Sequence, residues 1–494
     1  MPERLLGIDI GTTGVRAALF EPTGEHVASA SVAFPYDGPR PGWAETSPEG
    51  WWRAATSVLA ELATKTSLAE VGAIAVTGQA PTAVLLDAAH EAVRPAVLWL
   101  DTRASASAEE LGVQAYYLGP KLLWLARHEP DAIARTAHVV QSHAFVAHRL
   151  TGELATDPST AALCLPLFDL AARAWIPAAC AKVGIRAEQL PAVRRAHDVL
   201  GRVTRAASAK TGLPEGTPVV CGGGDFAAAT LGAGVVSEGD ACLMLGTAGN
   251  LLVPRKTPGT DPRLINAHHV GAHLWLSLGG TLSGGAQEWL RHALARGKGG
   301  EDTAIRGALP SFEALEAEAD PVPAGSDGLL CLPYLQGERT PIWDTEARGV
   351  FVGLGLHHGR GHLWRALLEG IALGFVDCQE ILAASGVTIR SVVAANGGGK
   401  SSLFRQILAD ALGVPLSYAP EGHGTVAGAA ILAGLGSGLL SDASEARSWR
   451  GSTLRHEPDP RAHSRYRDLL ALRRQVYAGM KGVFPELTRL RDLG

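Results

Sequence analysis

The strongest constraint in this 494-residue sequence is a short segment that occurs twice, nearly half a chain apart. The first copy reads Ile8-Asp9-Ile10-Gly11-Thr12-Thr13-Gly14 and the second Leu243-Met244-Leu245-Gly246-Thr247-Ala248-Gly249. Both are apolar runs that break into Gly-Thr-x-Gly, the pattern of a strand entering a tight turn. Glycine lets a backbone approach an anion and aim N–H groups at it, and threonine hydroxyls add donors. Two such turns predict two similar domains closing on one phosphate-bearing ligand. Only the first copy carries an acid, Asp9, where the second has Met244. A single Mg²⁺ between the domains needs its carboxylate from one side only.

The chain exceeds the roughly 250–300 residues at which one hydrophobic core stops growing, so two domains are expected. The second turn begins soon after Gly239, which predicts domains over residues 1–238 and 239–494. With 46% hydrophobic and 19% charged residues the composition is that of a globular chain. A net charge of -5 supplies no basic stripe for nucleic acid. Six cysteines with no C-x-x-C predict reduced, buried thiols, not disulfides or a zinc site. There is no leader-like N-terminus and no run of about 18 apolar residues, so a cytoplasmic protein without a membrane partner is expected.

Residues 5–10, 15–20 and 27–33 read as three strands in an antiparallel meander. Ser47 as N-cap and Pro48 at the first helical position open a helix that runs to Thr64. Further strands are expected at 74–77, 83–87 and 96–99, and a helix at 120–128. A meander followed by alternating strands and helices predicts an α/β fold with a mixed sheet. Residues 219–221 form a strand that runs into Gly222-Gly223-Gly224, and a small-residue helix follows over 226–232. The second half repeats the style, with a hairpin of 243–245 and 251–253, strands at 274–278, 328–333 and 391–395, and helices at 284–296 and 402–412. A long amphipathic helix is expected at 362–385, a peripheral insertion at 297–325, and a solvated Arg-rich face beyond about 445.

Residues able to carry chemistry cluster at strand ends. Asp9 can simply initiate a turn. Beside bound phosphates the same carboxylate would help hold Mg²⁺, often through water. Asp225 can N-cap the helix that follows it. It can also be a strand-end carboxylate, exposed by three glycines, that accepts a proton from a substrate hydroxyl. Gly397-Gly398-Gly399-Lys400-Ser401 resembles a Walker A loop but has Ala394 where that pattern needs glycine. The alternative is a Gly-rich platform under an adenine, with Lys400, Ser401 or Ser402 at its edge. Trp99, Asp101 and Arg103 are either a core indole beside a salt bridge or the lining of a polyol pocket. The polar run 336–341 is either a solvated loop or a second lining of the cleft.

Together these blocks resemble the FGGY carbohydrate kinase family, and within it the xylulokinases, from Leu6 to about Gly438. The most specific stretch runs from Gly349 to Leu354 and, seven residues on, from His362 to Glu369; it fits the family's C-terminal signature. Lys121-Leu122-Leu123-Trp124-Leu125 with Arg127 and His128 fits the N-terminal signature, although Leu118 stands where a small hydroxyl residue or Pro is usual. The resemblance implies a two-domain, ribonuclease-H-like (actin-like ATPase) fold with an interdomain cleft. It implies ATP and Mg²⁺ as cofactors, a sugar or polyol as acceptor, and a homodimer as one option for assembly. Asp225 would be the general base and Asp9 the metal ligand. Thr12, Thr13, Gly246 and Thr247 would surround the phosphates, and Gly397 and Gly398 the adenosine, with Ser401 at its edge. Gln79, Ala80, Pro81, Trp99, Asp101, Arg103, Tyr116 and Phe226, together with Asp225, would line the acceptor pocket.

Two departures bear on the acceptor. After Gly78-Gln79 the xylulokinases usually carry Met-His-Gly, whose His contacts the ketose; this chain has Ala80-Pro81-Thr82. Phe226 stands where Asn is usual. Losing groups that hydrogen-bond a hydroxyl changes the preferred substrate. D-xylulose, giving D-xylulose 5-phosphate, is the first expectation, followed by a ribulose-type ketose, a deoxy-sugar or an erythritol-type polyol. The alternative from a different class is a non-catalytic actin-like ATPase sensor, against which Asp225 argues.

Overall fold

Two mixed sheets organise the chain in the structure, a computed structural model that describes residues 3–294 and 309–492. The N-terminal sheet contains β1 (Arg4–Ile10), β2 (Gly14–Phe20), β3 (His26–Ala33), β4 (Val71–Gly78), β5 (Val199–Arg202) and β6 (Pro218–Gly224). Its spatial order is β5-β6-β4-β1-β2-β3. The C-terminal sheet contains β7 (Asp240–Leu245), β8 (Ala248–Arg255), β9 (Ile265–His268), β10 (Trp275–Leu282), β11 (Ser391–Ala395), β12 (Leu416–Tyr418) and β13 (Leu454–His456). Its order is β9-β10-β8-β7-β11-β12-β13.

The two sheets are built alike. β1, β2 and β3 are antiparallel neighbours, as are β7, β8 and β10. β1, β4 and β6 run parallel, as do β7, β11 and β12. One antiparallel strand closes the parallel side of each sheet, β5 in the first and β13 in the second. The expected N-terminal meander and the hairpin around the second turn both form. The strands expected at 83–87 and 96–99 form in shortened versions, Val84–Leu86 and Ala96–Val97, and pair outside the main sheet.

Six helices position the site: α1 (Pro48–Lys65), α2 (Ser142–Thr151), α3 (Asp225–Gly232), α4 (Arg360–Ala384), α5 (Ser402–Leu412) and α6 (Gly424–Ser437). α1 starts as its sequence dictates: Ser47 Oγ accepts the Gly50 N–H at 3.2 Å, Pro48 follows, and Trp51, Val58, Leu59 and Leu62 are buried. Strand alternation sorts the layers. Leu6, Ile8 and Ile10 face α1 and α2, whereas Leu5, Gly7 and Asp9 take the opposite face. In β7, Ala241, Leu243 and Leu245 lie under α4 and α5, while Cys242 and Met244 take the other face. α3 and α6 lie between the two inward faces, in one apolar cluster with Leu5, Val220, Cys242, Leu252 and Leu278. α6 follows a strand of the C-terminal sheet yet lies on β1 and β4 of the N-terminal one. The approach there is backbone to backbone, since a Cβ on Gly7 would stand 2.0 Å from Val426 O.

Three sequence expectations are corrected. α4 is not amphipathic: Trp364 through Cys378 are buried throughout, because the helix Phe312–Ala319, α5 and the strand Leu330–Leu332 pack on it as well as the sheet. In Phe312–Ala319, Leu315 and Ala319 are buried, so the described end of the supposed insertion is part of the core; its residues 297–308 lie outside the described residues. The region beyond 445 is not merely a solvated face. β13 extends the sheet, and Pro460–Met480 buries Tyr466, Leu470 and Arg473. Tyr466 Oη donates to Glu369 Oε1 at 3.0 Å and Arg473 pairs with Asp377, both acids of α4. A buried carboxylate must be paired, and here it draws in an arginine that composition alone assigns to solvent. All six cysteines are buried and unpaired. Among the described residues no helix is long and apolar enough to cross a membrane.

Candidate active site

Three parallel strands end side by side. Ile10 pairs with Gly78 and Gly78 with Gly224, so the next residues, Gly11, Gln79 and Asp225, form one rim. β6 reaches that rim through a bulge: Gly222 has a φ of 75°, and a Cβ there would stand 1.8 Å from Val76 O. The pairing with β4 slips between Val220 and Gly223, and the bulge re-aims the chain so that α3 starts at the rim. Asp225 does not cap α3. Gly224 is the cap residue, and the Asp225 carboxylate accepts the Phe226 N–H at 2.7 Å.

Burial, and secondarily the charge of Asp9, raise the Asp225 pKa to about 7. Asp9 is 8% exposed, and burial raises its pKa to about 6 against the pull of Arg16 and of Thr77, whose Oγ1 donates to it at 3.3 Å. Two desolvated carboxylates, one of them raised further by the charge of the other, form a site a cation relieves. Among the described residues no group of three or more His, Cys, Asp and Glu could hold a metal alone. That donor set fits Mg²⁺, which takes one or two carboxylates and completes its shell with phosphate oxygens and water.

The two Gly-Thr turns are closed by their own backbones, Gly11 N–H to Gly14 O at 2.9 Å and Gly246 N–H to Ala248 O at 3.1 Å. Thr13 and Thr247 are left exposed and Thr12 half-buried. Gly397 is open to solvent, with nothing within 4 Å of where a Cβ would be. It lines a cleft of about 570 Å³ with Asn396, Lys400 and Tyr418, and Asp9 lines the same cleft from the other sheet. Gly398 sits behind this wall, against Leu245. Ser401 Oγ accepts the Phe404 N–H at 3.0 Å and caps α5, so its hydroxyl is occupied by the helix. Gly397–Lys400 is a single tight turn entered through Asn396 at a φ of 70°, and Lys400 points to solvent, unlike a phosphate-loop lysine.

The residues expected around the acceptor divide into two groups. Trp99 Nε1 donates to Thr12 Oγ1 at 3.1 Å, tying the indole to the first turn. Asp101 accepts the Ala44 N–H at 2.6 Å and three N–H groups of Arg103, one backbone and two side-chain; Arg103 also pairs with Glu45 and lies 3.5 Å over the Trp43 ring. Both charges are therefore occupied by protein. Gln79 is buried, and its Oε1 has no partner among the described residues. Ala80 packs on the interdomain cluster, Pro81 is buried, and the Phe226 ring lies against Gly224 beside Thr160 Oγ1. Tyr116 is half-buried with its hydroxyl unpartnered among the described residues, and its ring lies nearly parallel to Trp343 of the other sheet's half, centroids 6.1 Å apart.

Sequence inspection assigned no role to three contributors. Thr77, the hydroxyl on Asp9, was visible as a polar residue inside an apolar strand. Lys121, 1% exposed, donates to the Ala115 and Tyr116 carbonyls at 3.2 and 2.6 Å and so fixes the turn that carries Tyr116. Burial pulls its pKa down to about 7. Thr160 carries no signal in the sequence, because only the tertiary fold brings it to Gly224.

Two family models match, the N-terminal domain of the FGGY family of carbohydrate kinases over residues 4–232 and its C-terminal domain over 235–437. The chain belongs to the FGGY family of carbohydrate kinases. It is 32% identical over 488 residues to the xylulose kinase of Escherichia coli strain K12, covering 96% of this chain and 98% of that one. To the autoinducer-2 kinase of Klebsiella pneumoniae subsp. pneumoniae it is 31% identical over 508 residues, covering 97% and 94%. The crystal structure of xylulose kinase from Rhodospirillum rubrum matches with a TM-score of 0.87 at 34% identity, covering 97% of this chain and 99% of that one. The fold is thus that of the two-domain, actin-like sugar kinases.

Proposed function

We propose that this kinase transfers the γ-phosphate of ATP to a terminal hydroxyl of a ketose or related polyol, with Asp225 as general base. The observation that carries the proposal is a carboxylate at a parallel strand's end, with a pKa of about 7, beside a second acid and a Gly-Thr turn. The acceptor oxygen attacks the γ-phosphorus while its proton passes to Asp225; the bond from that phosphorus to the β–γ bridging oxygen breaks, and ADP leaves. Asp9 would hold Mg²⁺, which supplies charge neutralisation at the phosphates. Thr12, Thr13, Gly246 and Thr247 would donate to phosphate oxygens, and Gly397, with Gly398 behind it, would frame the adenosine. Residues 1–238 then form the acceptor half and 239–494 the nucleotide half. Catalysis is positioning and electrostatics, since phosphoryl transfer needs little covalent help from the protein.

D-xylulose is the first acceptor to test, on the strength of relatives named xylulose kinase. The relative named autoinducer-2 kinase widens the range, and Ala80, Pro81 and Phe226 present apolar surface near the base. Buried unpaired cysteines support a reducing, cytoplasmic setting. Acceptor-stimulated ADP release should be measured over D-xylulose, D-ribulose, a deoxy-sugar, erythritol and glycerol. Release with at least one acceptor, lost in Asp225→Asn while ATP still binds, is expected. No stimulation by any acceptor would overturn the assignment in favour of a sensor.

A further inference from the structure

The polar run at 336–341 is not used by the chemistry above. Glu338 turns inward, where its carboxylate accepts Thr281 Oγ1 at 2.8 Å and the Arg339 backbone N–H at 2.9 Å. Arg339 is half-buried, and its guanidinium has no hydrogen bond or ion pair among the described residues. One of its nitrogens lies 3.2 Å from where a Cβ on Gly280 would be, and Asn250 Oδ1 occupies the same spot from the neighbouring strand. Asn250 and Gly280 form a cross-strand pair, and Leu252 and Leu278, two residues along each strand, belong to the interdomain cluster. Arg339 therefore lies on the face of the C-terminal sheet that looks toward the acceptor half. Its charge is felt by Tyr116 of that half, whose ring lies against Trp343.

A half-buried guanidinium with five donors and no acceptor among the described residues keeps those donors free for a ligand's oxygens. Its distance from the phosphate turn indicates which ligand. Asn250 is three residues along β8 from Thr247, about 10 Å at the strand rise of about 3.3 Å per residue. The phosphates belong at the turn, so Arg339 stands at the remote side of the acceptor space. We propose that Arg339 reads the far end of the acceptor, donating to carbonyl or hydroxyl oxygens on the carbons remote from the phosphorylated hydroxyl. Tyr116 and Trp343 wall that end. The site thereby selects linear polyhydroxylated acceptors of four or more carbons over shorter ones.

The inference rests on the sugar-kinase assignment, and its test separates the two. Arg339→Met and Arg339→Lys are compared with the wild type across glycerol, erythritol and D-xylulose, with acceptor binding also measured by calorimetry without nucleotide. Arg339→Met should lower kcat/KM for the longest acceptor by about 10- to 100-fold, the scale of charge-assisted hydrogen bonds. The loss should lie in the acceptor's KM, weaken binding by the same factor, shrink as the acceptor shortens, and be partly recovered in Arg339→Lys. An equal loss for every acceptor length, a loss in kcat, or a raised KM for ATP would overturn the inference alone. Wild-type inactivity on all acceptors would instead overturn the sugar-kinase assignment beneath it.

Discussion

At the crossing of α3 and α6 two helix backbones meet with no room for a side chain. A Cβ on Gly428 would stand 1.9 Å from Ala228 O, and one on Gly232 would stand 2.0 Å from Gly424 O. Ordinary contact is about 3.4 Å, so Gly428→Ala must part the two backbones by about 1.5 Å. The blocking atom is a helix carbonyl and cannot swing aside. Overpacking of this kind costs about 1–3 kcal/mol, and a displaced backbone places this site at the upper end. Alanine's better helix propensity returns about 1 kcal/mol, leaving a net loss of about 2 kcal/mol. For domains of this size that is about 4–8 °C in the melting midpoint. The control is Gly479→Ala in the helix Pro460–Met480, where nothing lies within 4 Å and propensity alone should raise stability. Urea denaturation and thermal scans of both variants test the argument. Gly428→Ala as stable as wild type, or moving with Gly479→Ala, would refute it. The variant should also lose kcat/KM, because the same crossing fixes how the first turn meets the second.

Three further outcomes follow from the site. As the proposed base, Asp225 would act only when unprotonated, so kcat/KM should rise with pH toward about 7 and then level off, with saturating Mg²⁺ moving the midpoint down; a flat profile from pH 5 to 8 would count against it. Glu338 has a pKa raised by burial to about 7, so the folded protein holds a proton that the unfolded chain has released between about pH 4.5 and 7. Stability should therefore fall as pH rises through that window, by up to about 3 kcal/mol, and Glu338→Gln should flatten the curve of denaturation midpoint against pH. Trp99→Phe removes the donor to Thr12 Oγ1 and should raise the KM for ATP about 3- to 10-fold, with little change in melting temperature; an unchanged KM would show that the bond does not order the turn.

Much of this was legible in the sequence, for physical reasons that can be named. β1 and β7 stand out because each must be apolar on both faces and then break at a glycine turn. The start of α1 was readable because Ser47 and Pro48 act within four residues of themselves. That Asp9 and Asp225 come to neighbouring strand ends could be expected from the glycine-rich breaks that follow or precede them. What failed depends on distant partners. Arg473 is indistinguishable from its solvated neighbours until Asp377 on α4 is known to lie beneath it. Asp101 and Arg103 looked equally fit for a pocket or an ion pair, and Ala44, Glu45 and Trp43, more than fifty residues upstream, complete the ion pair. Arg339 shows its lack of a partner among the described residues only once every neighbouring strand is in place.

The likeness of the two sheets implies a direction of flow. A nucleotide has unlike ends, so two equivalent half-sites cannot both suit it, and copies of one unit that share such a ligand must drift apart where its ends differ. Equivalent places that now differ in charge therefore act as a compass. β1 carries Asp9 where β7 carries Met244, and α3 opens on Asp225 where α6 opens on Gly424. Both acids lie in the same half. With Asp225 as the proposed base beside the incoming hydroxyl and Asp9 as the proposed holder of a cation facing the phosphates, the phosphoryl group would travel from the half without these acids to the half that carries them.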